Sequence, residues 1–185
     1  MNTNDIINIL QTVLTPSRFA HTMGVAKWAK ELAFLNGVSP DKAYKAALLH
    51  DCAKCMTKDE LADNIKKYDI KLDDEALSSP QLWHSYVGAF VARDIYGIED
   101  EEILEAIYYH TTGKADMSVL CAIIYLADAI EDSRNYDGVE KLRTMARYSL
   151  WDAVFAYTER SVEFIKSKGC IVHRDTVNLL NRRQK

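Results

Sequence analysis

His50 and Asp51 close the apolar run Ala46-Ala47-Leu48-Leu49. Burying an imidazole beside a carboxylate is costly unless both find partners, so buried charges are paired or bound to a metal. The same pattern recurs along the chain. His21 shares a helical face with Val25, Trp28, Leu32 and Leu35. His84 lines up with Val87, Gly88, Val91 and Ile95, and His110 has Ile103, Ala106 and Ile107 behind it. Asp128 follows Cys121, Ile124 and Tyr125. These are i, i+3, i+4 and i+7 relations, which gather residues on one face of a helix. Four of the five histidines and two aspartates are therefore expected to face the core from separate segments. One inward histidine is ordinarily satisfied by a hydrogen bond. Six such groups are hard to satisfy in pairs, whereas one metal centre satisfies them together. Imidazole and carboxylate without thiolate suit Fe, Mn, Co and Zn alike. A metal so held lowers the pKa of its water and supplies hydroxide near neutral pH, which is the chemistry of phosphoester or phosphoanhydride hydrolysis.

The elements that must position these groups read as helices. Thr15-Pro16 opens a helix that Gly37 ends, and Ser39-Pro40 opens the helix carrying His50. Thr57-Lys58-Asp59-Glu60 is a capping box for the next helix. Ser79-Pro80 opens the helix of His84, closed by Gly97. Further helices are expected from about Glu101 to His110, from about Met117 to Ile130, and over roughly Gly138 to Lys168. A short one follows His173. The polar segment Tyr68 to Ser79 reads as a surface loop. The stripe of Leu150, Val154, Tyr157, Ser161 and Phe164 reads as core or as contact with a second copy in a homodimer. Alternating strand patterns and hairpin dipeptides are absent, so the fold class is all-α, with helices around one core.

With 185 residues, one domain is expected over 1–185. The metal-binding part would cover about 16–131, with C-terminal helices over about 138–183 packed on it. A hydrophobic fraction of 48% supports a sizeable core. The net charge of −4 carries no polyanion-binding character, so nucleic acid is not an expected partner. The basic end Arg182-Arg183-Gln184-Lys185 reads as a solvated tail. Met1 to Asp5 lacks the positive region of a secretion signal, and no apolar run is long enough to span a bilayer. A soluble, cytoplasmic protein with reduced thiols is the expectation, Cys52 and Cys55 included.

Arg18, Lys54 and Arg134 flank the ligand positions and are candidates for stabilising charge on phosphate, Lys54 lying one helical turn past His50. Thr111 and Thr112 either hydrogen-bond phosphate oxygens or form a helix end with Gly113 in the left-handed conformation. Trp83, Tyr109 and Tyr136 are candidates for stacking on a base, each against a reading as core packing.

In chain order the groups run His21, His50-Asp51, His84, His110, Asp128. Around them stand Ser17-Arg18-Phe19-Ala20-His21 with Gly24-Val25-Ala26, then Leu48-Leu49-His50-Asp51-Cys52-Ala53-Lys54. Next come Trp83-His84-Ser85 with Gly88-Ala89, and Tyr109-His110-Thr111-Thr112-Gly113. Ala127-Asp128-Ala129-Ile130-Glu131 with Arg134, and Ile171-Val172-His173, complete the set. This series resembles the HD-domain superfamily of metal-dependent phosphohydrolases. Within it, the flanking residues are similar to the YqeK family of symmetrical dinucleoside-tetraphosphate hydrolases, from about Pro16 to Asn181. The chain departs from that family at Asp132-Ser133-Arg134, where relatives carry a proline-containing turn, and at Arg174, where proline is common. The resemblance implies an HD-type helical bundle and an iron-containing site of one or two ions. By position it assigns His21, His50, Asp51 and Asp128 to the first metal. His84 and His110 match the pair that in dinuclear relatives holds a second metal with Asp51 bridging and in mononuclear relatives faces the substrate phosphates, so Asp51, His84 and His110, with Lys54, are the expected catalytic residues. It implies diadenosine tetraphosphate as substrate, two ADP as products, and His173 reaching back to the nucleotide. His173 also reads as a surface helix start. Other readings are a nucleotidase or cyclic-dinucleotide phosphodiesterase of the same superfamily, a non-catalytic nucleotide-binding module, and a helical scaffold whose polar core groups satisfy one another.

Overall fold

Small polar residues set the helix starts. Thr15 Oγ1 accepts the Arg18 amide at 3.2 Å ahead of Pro16, and Ser39 Oγ accepts the Lys42 amide at 3.3 Å ahead of Pro40. Thr57 and Glu60 form the reciprocal capping box. The computed structural model describes residues 1–183. Among those residues it contains eleven α-helices, one 3₁₀ turn at Pro80–Leu82 and no strand. The helices are α1 (Thr3–Val13), α2 (Pro16–Leu35), α3 (Pro40–Leu49), α4 (Lys58–Lys67), α5 (Asp74–Leu77) and α6 (Trp83–Asp94). They continue with α7 (Glu101–Tyr109), α8 (Val119–Ile130), α9 (Val139–Tyr148), α10 (Leu150–Ser167) and α11 (Arg174–Arg182). No helix among the described residues is long and apolar enough to cross a membrane.

Helix α8 is the axis of the fold. Ten of its twelve residues are buried, and it packs against α2, α3, α7, α9 and α10. A helix that is apolar all round has to be surrounded in this way. Its single charged residue, Asp128, is thereby held half-buried beside α2 and α3. Helix α2 lies along α3, and α7 bridges α3, α6 and α8. The two helices α3 and α7 end at Leu49 and Tyr109, so His50 and His110 occupy helix ends rather than helix faces. Beyond His50 the chain runs through consecutive turns, with the Lys54 amide on the Asp51 carbonyl at 2.9 Å. Lys54 therefore reaches the site from a turn and not from a continuing helix.

Several expectations are corrected. The amino-terminal stretch, to which no element is assigned from the sequence, forms α1, capped by Asn2 and anchored by Ile6 and Leu10, which are fully buried. The long helix expected over 138–168 breaks at Ser149, whose extended backbone ends α9 while its hydroxyl caps α10. Serine competes for backbone hydrogen bonds in this manner, and Ser149-x-x-Asp152 was the available signal. Segment 68–79 is no plain surface loop: it holds α5, and Ile70, Ala76 and Ser79 are buried. On α10 the inward face is Leu150, Ala153, Val154, Thr158 and Val162, while Phe164 is exposed. Leu35 and Ile95, expected to face inward, are exposed at helix ends. Arg182 is no free tail: its guanidinium donates to the Ala115 carbonyl at 2.8 Å and lies over Trp151. Arg183 pairs with Glu159 at 2.7 Å. Gln184 and Lys185 lie outside the described residues.

Candidate metal centre

Four imidazoles converge, and each has its outer nitrogen committed. His50 Nδ1 donates to the Ala47 carbonyl at 2.6 Å, His110 Nδ1 to the Ile107 carbonyl at 2.7 Å, and His84 Nδ1 to the Gln81 carbonyl at 2.8 Å. His21 Nδ1 donates to Glu131 Oε1 at 3.1 Å. Each acceptor takes a hydrogen bond only, so it fixes the proton on Nδ1 and leaves the Nε2 lone pair of the neutral ring facing inward. His21 Nε2 and His50 Nε2 are buried without any hydrogen-bond partner. His84 Nε2 and His110 Nε2 stand 3.2 Å apart. Two lone pairs at that distance repel unless a cation or proton lies near them.

Asp51 joins the rings into one site. Its Oδ2 lies 3.3 Å from His50 Nε2 and 3.9 Å from His21 Nε2. Its Oδ1 lies 3.2 Å from His84 Nε2 and 3.6 Å from His110 Nε2. Asp128 Oδ1 faces His21 Nε2 at 3.1 Å. Donor atoms within 4.8 Å of one another form three overlapping groups: His21, His50 and Asp51; His50, His110 and Asp128; Asp51, His84 and His110. An imidazole–carboxylate donor set of this kind, with every outer nitrogen held, fits a divalent cation.

The electrostatics favour positive charge at the centre. Burial pushes the Asp51 carboxyl up, but the neighbouring His50, His110 and His84 rings outweigh it and hold it well below the usual carboxylate range. Burial likewise opposes ionisation of Asp128, and the neighbouring His21 and His50 rings overcome it. Burial lowers His50, yet Asp51 beside it leaves the ring above its ordinary value. His84 is pushed down to about 4, chiefly by burial, so its ring is neutral at pH 7.

Three cations stand at the rim. Arg18 Nη1 meets Asp51 Oδ2 at 2.9 Å, and Arg134 Nη2 meets Asp128 Oδ1 at 2.5 Å. Lys54 Nζ lies 3.3 Å from His84 Nε2, and burial lowers its pKa. Arg18 and Arg134 remain 30% and 39% exposed, so each presents part of its guanidinium outward.

Comparison with known proteins agrees with this geometry. The family model of the HD domain matches residues 18–133. The chain belongs to the HD-domain family. Across 98% of its length it is 37% identical to a protein of Halalkalibacterium halodurans, 97% of which is covered. That protein is named symmetrical bis(5'-nucleosyl)-tetraphosphatase. A protein of the same name from Bacillus subtilis is also 37% identical, over 95% of this chain and 94% of its own. A crystal structure from Clostridium acetobutylicum, described as a predicted HD superfamily hydrolase involved in NAD metabolism, superposes with a TM-score of 0.96. It is 33% identical and covers 100% of this chain and 99% of its own.

In this HD-domain chain the structure gathers His21, His50, Asp51, His84, His110 and Asp128, together with Arg18, Lys54 and Arg134. Thr111 Oγ1 sits 3.1 Å from Ser85 Oγ on α6. The Thr112 hydroxyl is buried without a partner, and the Thr112 carbonyl accepts Thr176 Oγ1 at 2.8 Å. Gly113, at φ +62°, closes α7 with its amide on the Tyr109 carbonyl, so the helix-end reading of this segment holds. His173 is not among the groups whose donor atoms converge. Its Nε2 meets Asp73 Oδ1 at 3.2 Å and the Tyr86 hydroxyl at 3.3 Å, while its Nδ1 caps α11 by accepting the Asp175 amide. Both ring nitrogens are thus occupied in docking α11, and the ring is buried rather than a surface helix start. The Trp83 indole donates to the Ala76 carbonyl and the Tyr136 hydroxyl to the Ala129 carbonyl, which fixes both rings in the fold. Tyr109 stays half-buried, edge-on to Tyr108. Cys52 is buried with its thiol on the Gly88 carbonyl at 3.4 Å, while Cys55 is exposed; both are free thiols.

Sequence reasoning missed Glu131 as a functional residue. It lies one turn beyond Asp128, at the end of an otherwise apolar helix, and that spacing was the signal.

Proposed function

We propose that this HD-domain chain hydrolyses diadenosine tetraphosphate symmetrically, adding one water to give two ADP. The observation that carries the proposal is the set of inward Nε2 atoms around Asp51, each fixed by an acceptor on its Nδ1. The relatives named symmetrical bis(5'-nucleosyl)-tetraphosphatase, alignable over almost the whole chain, support the choice of substrate.

We assign His21, His50, Asp51 and Asp128 to one divalent ion, and Asp51, His84 and His110 to a second. Iron is the metal implied by the family resemblance; the donors suit Mn, Co and Zn as well. A divalent ion bound there lowers the pKa of water and offsets charge on phosphoryl oxygens. The side chains do the rest. Asp51 presents one oxygen to each half of the site and keeps the halves in register. Arg18 and Arg134, braced by Asp51 and Asp128, offer their outward N–H groups to the flanking phosphates. Lys54 supplies a charge beside His84, where negative charge builds up on the oxygens of the reacting phosphorus. Thr111, half-buried, offers its hydroxyl at the end of α7, whereas the Thr112 hydroxyl is buried. His173 lies outside this set because its nitrogens already serve Asp73, Tyr86 and Asp175.

The test is a product assay on metal-loaded protein. ADP as the sole product in the initial phase is the expected result; AMP plus ATP would overturn the symmetrical reading. Lys54→Ala should lower kcat/KM by about tenfold to a hundredfold, corresponding to about 1.4 to 2.7 kcal/mol, with metal content unchanged. Loss of metal in that variant would show that Lys54 acts through the ligands instead.

A further inference from the structure

We infer that Glu131 is a positioning residue for the metal centre, holding the His21 ring so that its Nε2 faces the ion, and that Gly24 is what admits it. The inference rests on the metal reading above and adds to it a residue outside the ligand set.

The four histidines are not held alike. His50, His84 and His110 each give Nδ1 to the carbonyl three residues earlier. That device needs carbonyls the helical ladder has not claimed, and they occur at helix ends and in tight turns. His50 and His110 close α3 and α7, and His84 follows the Pro80–Leu82 turn. His21 stands in the body of the twenty-residue α2, where the ladder uses the carbonyls. Its ring must take an acceptor from another element, and Glu131 brings one across 110 residues of sequence.

Glu131 is built in for this purpose. It is 2% exposed. Its Oε2 accepts the Ser133 amide at 2.8 Å, and its Oε1 accepts the Ser133 hydroxyl as well as His21 Nδ1. Its backbone is clamped by Arg143, which donates to the carbonyls of Ile130 at 2.8 Å, Glu131 at 2.7 Å and Arg134 at 2.9 Å. Asp132 ties the same turn to α2 by accepting the Trp28 indole at 2.8 Å and Lys27 at 2.6 Å. Space for the carboxylate comes from Gly24, one turn after His21: a Cβ there would lie 2.6 Å from Glu131 Oε2. Glycine in a helix interior is conformationally unfavourable, and here the close approach requires it. A carboxylate on Nδ1 makes a stronger, charge-assisted bond than a carbonyl and makes the opposite nitrogen a better donor to a cation.

The test compares Glu131→Gln, Glu131→Leu and Gly24→Ala with the unaltered protein, using Co2+ as probe. Chelator competition gives the affinity, and the visible absorption of bound Co2+ gives the ligand geometry. Glu131→Gln should weaken Co2+ by about tenfold, and Glu131→Leu by up to about a hundredfold. Gly24→Ala, which touches no ligand, should weaken it comparably and shift the same absorption bands. A residue that served only the fold would lower the melting temperature and leave affinity and spectrum alone. Affinities of all three variants within twofold of the unaltered protein would overturn the inference. If Glu131→Leu does not fold by circular dichroism, Glu131→Gln and Gly24→Ala decide by the same criterion. An unaltered protein that binds no Co2+ would overturn the metal reading and this inference together; normal binding with unaffected variants would overturn this inference alone.

Discussion

Asp51→Asn should leave a folded protein that retains less than about a tenth of its metal and turns over at least about a thousandfold more slowly. Among the described residues no other side chain faces all four imidazoles: Oδ2 serves His21, His50 and Arg18, and Oδ1 serves His84 and His110. The amide keeps the volume, so packing is preserved, but it removes the negative charge and turns one acceptor into a donor aimed at imidazole nitrogens or at Arg18. Asp51→Ala should be at least as inactive. Elemental analysis by plasma mass spectrometry, paired with steady-state kinetics, checks both halves of the expectation. Metal content and turnover at the unaltered level in Asp51→Asn would remove the site as drawn.

The second large effect is thermal. A cation that binds the folded chain and not the unfolded one stabilises by RT ln(1 + [L]/Kd), about 4 kcal/mol at a thousandfold excess over Kd. For a chain of this size each kcal/mol moves the melting temperature by about 2 to 4 °C, so loading should raise it by about 8 to 16 °C. Stripping with a chelator should reverse the shift, because the site then loses the positive charge its carboxylates and lone pairs favour. Differential scanning calorimetry at two metal concentrations measures this. A melting temperature moved by less than about 2 °C would favour a helical scaffold whose polar groups satisfy one another.

Much of the site was legible because helical periodicity is a local property. His21, His84 and Asp128 lie in helices, and the apolar residues three and four positions away mark which way they point. Thr15-Pro16, Ser39-Pro40 and the Thr57 capping box mark helix starts through bonds that span three residues. The misreadings came where two local rules compete. Ser149 fits inside the periodic pattern of a long helix, yet its extended backbone breaks it there and α9 and α10 pack on each other. His173 matched a family position, but its neighbours Asp73 and Tyr86 are 100 and 87 residues away, beyond any spacing rule.

The residue types gathered at the centre, their order and the helices that lead to them follow from the sequence alone, because each depends on interactions within a few positions of the chain. Which nitrogen faces inward, how the two oxygens of Asp51 divide the rings, and the pairing of Glu131 with His21 beside Gly24 were decided only by the tertiary structure. Those features arise where α2, α3, α6, α7 and α8 meet: three rings are locked by a carbonyl three residues earlier, while Asp51 and Glu131 reach rings on other elements that share no sequence pattern with them.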